Sequence, residues 1–257
     1  MDDQIAALLA ALGLAAVHLF APRLRSLTLV PRSRWLSAAG GVSVAYVFVH
    51  LLPELARGQA AIEGEGQGEG GAAAPGPEPL LGVLEDHVYL VALVGLAVFY
   101  GVEKHSLSSR QRNMEQTGRD RTTDDAFLLS ITSFAIYNAV IGYLLLRADM
   151  EQLTELMLFT LALGVHFVIN DFALSEHHRD AYHRVARWVI AAAVIVGWVA
   201  GMAIEVSERV IALIVAFIAG GVVLNVLKEE LPGERLAQFW PFASGALAYT
   251  VLLQLAA

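Results

Sequence analysis

The sequence has no cysteine, so it forms no disulfide and offers no thiolate metal ligand, while its compartment stays open. Charge is also scarce: 16% of the residues are Asp, Glu, Lys or Arg, against about a quarter in a soluble domain. No glycine-rich phosphate loop or dinucleotide fingerprint occurs, which leaves phosphate-bearing soluble substrates unsupported. Basic residues sit in short flanks without interleaved aromatics, so nucleic acid is not an expected partner. The first apolar run begins Met1, Asp2, Asp3 instead of with a basic stretch and has no small-residue cleavage site. It reads as a retained helix and not as a signal peptide.

Apolar residues are abundant. They make up 56% of the chain, and the mean hydropathy is +0.58. Eight runs approach the ~20 residues that cross a ~30 Å hydrocarbon core: Ile5 to Ala21, Leu36 to Leu55, Val83 to Glu103, Ala126 to Leu146, Leu153 to Leu174, Val185 to Ile204, Val210 to Leu231 and Leu236 to Leu255. They take up most of the chain, which implies an all-α integral membrane protein, a single transmembrane bundle over residues 1–257 surrounded by membrane lipids.

The connections segregate by charge. Those after the first, third and fifth runs carry Arg23, Arg25, Arg32 and Arg34, then Lys104, Arg110, Arg112, Arg119 and Arg121, then Arg179, Arg184 and Arg187. Those after the second and fourth carry Glu63, Glu65, Glu69, Glu78, Glu85 and Asp86, then Asp149, Glu151 and Glu155. By the positive-inside rule both termini lie on the non-cytoplasmic side of a plasma or inner membrane. Residues 58–79, rich in Gly, Glu and Pro, are expected to form a flexible outer loop, and residues 105–125 a polar cytoplasmic one.

Polar residues inside the runs carry the chemistry, because an ionisable group in a bilayer costs roughly 2.5–3.5 kcal/mol on insertion scales. In the second run His50 and Glu54, four apart, share a helix face, and Pro53 frees a backbone carbonyl. The fourth run places Asn138, and the fifth His166, at comparable depth, where they could face each other. His166 and Asn170 share a stripe, and Asp171 lies ~100° further round. Imidazole, amide oxygen and carboxylate suit a divalent ion; an interhelical hydrogen-bond network is the alternative. The seventh run ends with Lys228, Glu229 and Glu230 before Pro232, and Lys228 could neutralise Asp171. After the fifth run Glu176, His177, His178, Asp180 and His183 could gather a metal at the inner mouth or form a polar loop. His18 and His87 read as interfacial.

These motifs resemble the ZIP (Zrt/Irt-like) divalent metal transporter family over most of the chain. "HLLPE" at His50–Glu54 is similar to the family's H-x-L-P-E, and "AGGVVLNVLKEELPGE" to its glycine-led helix ending E-x-x-P-E. "YNAVIG" at Tyr137–Gly142 aligns with H-N-x-x-D/E-G, and "HFVIND" at His166–Asp171 with H-E-x-P-H-E. The resemblance implies eight helices with both termini outside, a mid-membrane site on helices four and five, and metal moved by an elevator-like or rocking change of access. It places Asn138, His166, Asn170 and Asp171 in the metal site. Tyr137, Ile141, Phe167 and Ile169 replace family residues there.

Four good ligands make a tight zinc site, and two amides with His166 and Asp171 support one ion only. Two functions follow: a transporter of a divalent cation such as Zn, Fe or Mn, or a ZIP-fold protein that has lost transport and serves in binding, sensing or regulation, with Lys228 locked on Asp171. Beyond the ion no cofactor is implied, no enzyme activity is expected, and a homodimer stays open. A metallohydrolase would need Ser133, His50, His166 and Asp171 to converge. On the transporter reading His166→Ala and Asp171→Ala weaken metal binding and His18→Ala does not.

Overall fold

The computed structural model describes residues 2–24, 32–68, 87–147, 153–226, 228 and 238–256. Eight helices lie among them: α1 (Asp2–Leu24); α2, residues 32–68, built of Arg32–Tyr46, a π-turn Val47–Leu51 and Leu52–Gly68; α3 (Val88–Thr117); α4 (Asp124–Arg147); α5 (Leu153–Ala181), leading through a π-turn Tyr182–Ala186 into α6 (Arg187–Ala203); α7 (Glu208–Asn225); and α8 (Phe239–Ala256). Seven helices are long and apolar enough to cross a membrane, and α8 is a shorter apolar helix. The architecture is that of a multi-pass membrane protein. Leu9, Phe48, Leu93, Ile136 and Val196 stay exposed on its flanks, and Trp35, Trp188 and Trp240 are exposed near the starts of α2, α6 and α8. Such amphipathic rings suit the headgroup level.

Boundaries move for local reasons. The expected loop 105–125 is mostly helix, since α3 runs on to Thr117 and α4 begins at Asp124. The polar extension of α3 packs on the start of α4 through Ser106–Ser130 and Ser109–Thr123 hydroxyl bonds, both 2.6 Å, and Arg110 clamps Asp120 at 2.6 and 2.8 Å. Gly118, at φ 68°, then ends α3 with its N–H on Met114 O, a left-handed cap that glycine adopts without strain. The expected outer loop 58–79 is helical through Gly68, and its remainder falls outside the described residues. In α2 the Leu52 N–H reaches back five residues to Val47 O. Pro53 next to it has no N–H to continue the ordinary pattern, and the π-turn absorbs the mismatch.

Helices pair side by side in the same direction. Along α4 and α6, Gly197 meets Ala139, Gly142 meets Val194 and Arg147 Nε donates to Gly201 O at 2.6 Å. A Cβ on Gly197 would fall on the Ala139 carbonyl, and one on Gly142 on the Val194 carbonyl, so the backbones touch where side chains would hold them apart. Gly41 with Gly245 joins α2 to α8 in the same way, and Gly95 with Gly220 joins α3 to α7.

The helices form two groups, a first and a second body, which touch each other at least as widely as the two pairs within the second body do. In the first, α1 packs against α5 and α6, and α6 against α4; in the second, the α2–α8 and α3–α7 pairs join where Leu52–Gly68 lies on α7. The bodies meet mainly along α2 with α5 and α3 with α4.

Gly197→Ala is expected to destabilise the fold by about 1–3 kcal/mol, as overpacking does, and to lower the melting temperature of detergent-solubilised protein. Gly101→Ala, whose methyl would enter open space, serves as the control that leaves it unchanged.

Candidate functional site

The polar residues of α1, α4 and α5 meet inside the first body. His18, Asn138, His166, Asn170 and Asp171 are 2, 1, 2, 5 and 2% exposed, so each must find its partner within the protein. His18 links the three helices. Its Nδ1 lies 2.9 Å from Asp171 Oδ2 and 3.1 Å from Oδ1, and its Nε2 lies 2.8 Å from Asn138 Oδ1. Asn138 Nδ2 donates to Phe134 O at 2.8 Å, which fixes the amide with its oxygen toward the imidazole. His18 Nε2 therefore donates, and a second hydrogen lies between Nδ1 and the carboxylate. Tyr182, fully buried on the π-turn after α5, places its hydroxyl beside Asp171.

This arrangement corrects one expectation. His18 is buried in the bundle and not interfacial, so the idea that His18→Ala is silent loses its basis. Asn138 bonds His18, while Asn170 Nδ2 donates to His166 Nε2 at 2.9 Å along α5. The Phe167 ring neighbours both imidazoles, 4.5 Å from His18 and 6.3 Å from His166 between centroids.

Lys228 is likewise placed elsewhere than expected. Its Nζ lies 2.6 Å from Glu103 Oε1, within the α3–α7 pair, and the side chain against Asp171 is the His18 imidazole. Glu229 and Glu230 lie outside the described residues, as do the side chains of Glu176, His177, His178 and Asp180. His183 is exposed, against Tyr182 at 5.5 Å. His87 is exposed just before α3, at a helix end. Ser133 donates to Leu129 O and lines an apolar cavity with Phe99 and Phe217, whereas His50 lines a different one. The hydrolase constellation is not assembled.

His50 and Glu54 do share a face, as their spacing requires, and line a cavity of about 560 Å³. Around its mouth stand Glu155, Glu208, Arg57 and Arg147; Glu54 pairs with Arg57, and Arg147 with Glu205 at 2.9 Å. Its inner wall is Tyr46, Ile141, Leu163, Ile218 and Val222, contributed by both bodies. Ile141 and Leu163 each lie three residues from Asn138 and His166, or ~4.5 Å along a helix axis. Neither Asn138 nor His166 lines the cavity. Among the described residues no group of three His, Asp or Glu is placed to hold a metal.

A sequence signal for His18 existed. The buried stripe of α1 is Ala7, Ala11, Leu14, His18 and Ala21, while Ile5, Leu9, Leu12 and Phe20 are exposed. In a helix that is apolar all round, small residues mark the packed face, and His18 continues that stripe. Tyr182 carried no such signal. No protein-family model matches this sequence, and no curated protein matches it either.

Removing one partner of a buried ion pair costs about 3–5 kcal/mol because it strands the other. His18→Ala and Asp171→Ala are each expected to destabilise by this order, with the double variant well short of the sum. Additive losses in denaturation of the solubilised protein would show that the two side chains are not coupled.

Proposed function

We propose that the protein carries a divalent cation of the zinc, iron or manganese kind across the membrane by a ZIP-like change of access. Asp171 is the anchoring ligand, in a buried polar set that also holds His18, Asn138, His166 and Asn170. The observation that carries this reading is the relation of site to seam. All these polar groups belong to the first body, and the cavity beside them is walled by both bodies. Arg57 and Arg147 at the cavity are paired with Glu54 and Glu205, and Glu155 and Glu208 add acidic charge beside them. Ile141 and Leu163 then separate the cavity from the site, and a shift of one body along the other moves that barrier. The acidic end is the non-cytoplasmic one by the charge of the connections.

A second reading is favoured by one contact. The His18 imidazole already occupies Asp171, as a tethered counter-charge would in a ZIP-like protein that binds or senses without transporting.

Uptake of Zn, Mn, Fe, Co and Cd into proteoliposomes, wild type against Asp171→Ala, tests the proposal. Transport of at least one ion, reduced tenfold or more in the variant, is expected. Uptake that persists in Asp171→Ala rejects the site. Its absence for every ion, in folded and inserted protein, rejects transport and leaves the second reading.

A further inference from the structure

The His18–Asp171 contact has the length of an ordinary hydrogen bond, and the same length suits two ligands of one metal ion. Two ligand atoms each about 2.0–2.1 Å from one transition-metal ion stand about 2.9–3.4 Å apart, between octahedral and tetrahedral angles. His18 Nδ1 lies 2.9 and 3.1 Å from the two Asp171 oxygens. The far side of the ring is arranged to match. A ligating histidine characteristically donates its other N–H to a fixed acceptor, which sets the tautomer and aims the free nitrogen at the metal. Asn138 Oδ1 receives His18 Nε2–H at 2.8 Å and is held in that orientation by its own bond to Phe134 O. The Tyr182 hydroxyl is buried beside the same carboxylate.

We propose that His18 on α1 is a ligand of the transported cation, gripping it between Nδ1 and the Asp171 carboxylate, and that Asn138 orients the ring instead of binding the ion. This inference rests on the transport reading above. The ion takes the place of the hydrogen now between Nδ1 and Oδ2, and that proton passes to water. His166, with its Nε2 engaged by Asn170, is not a required ligand. Two strong protein ligands hold an ion without trapping it, as cargo requires. A nitrogen–oxygen pair also favours borderline first-row metals over calcium and magnesium, which take oxygen ligands.

The test is titration of the purified protein with Co²⁺ alone, followed by visible absorption, in wild type, His18→Gln, Asp171→Asn and His166→Ala. His18→Gln keeps a hydrogen-bond donor for Asp171 and lacks the imidazole. The expected result is at least tenfold weaker binding in His18→Gln and Asp171→Asn, near wild-type binding in His166→Ala, and no competition from equimolar Mg²⁺. Pulsed electron paramagnetic resonance of Cu²⁺-loaded wild type and His166→Ala, which does not depend on the folding of a His18 variant, should show a coordinated imidazole in both. Wild-type affinity in His18→Gln, or loss of the imidazole signal in His166→Ala, overturns the assignment and leaves transport through Asp171 standing. Tighter binding in His18→Gln shows that the imidazole is a plug and likewise overturns it. Wild-type protein that neither binds nor transports any ion overturns both.

Discussion

One carboxylate in an apolar interior constrains how α1, α4 and α5 come together. Asp171 lies on α5 where neither water nor a headgroup reaches it, and an ionised group there is tolerated only with an opposite charge and filled lone pairs. His18 meets that need from a helix more than 150 positions away in the chain, and Asn138 meets the need of His18 in turn. Each bond fixes a helix rotation: α1 must turn His18 inward, α4 must present Asn138, and α5 must aim Asp171 between them. A buried ion pair is weak evidence for stability. Here it ties the rotations of α1, α4 and α5 to one another.

Glycine does the complementary work elsewhere. Between helices surrounded by lipid, apolar burial gives little preference for one partner, and close backbone contact takes over. The facing glycines of α4 and α6, α2 and α8, and α3 and α7 make three tight pairs. Tight pairs leave looser seams between them, and the large cavity opens along such a seam. The small residues that bring paired backbones together therefore leave the cavity lined by helices of different pairs.

The sequence showed that a polar set lay in the membrane, and in part which residues formed it. His166, Asn170 and Asp171 stood out because a charge or amide in a greasy run is costly and conspicuous. Their pairing was not legible. Lys228 looked like the natural partner for Asp171, since both are charged and near the same bilayer face, yet a lysine at a helix end reaches Glu103 in its own helix pair. His18 was misjudged because position along a helix was taken to mean position at the edge, when its place on the small-residue stripe of α1 mattered more. The polar stretch after α3 was read as a loop from its charge. Its hydroxyls and Arg110 instead have partners at the start of α4 that only proximity creates.

Composition and run length by themselves determined the class of protein: apolar segments of nearly membrane thickness admit helices as the way to satisfy every backbone group. Local spacing determined that His50 and Glu54 share a face and that Pro53 disturbs its helix, because both depend on bonds within one turn. Which imidazole holds the carboxylate, which amide orients it, and where a cavity opens between the two bodies were decided by tertiary structure alone. Those features depend on helix rotations and on contacts across more than a hundred residues. Hydrophobicity is nearly uniform around such helices, so it carries almost no record of which way each one faces.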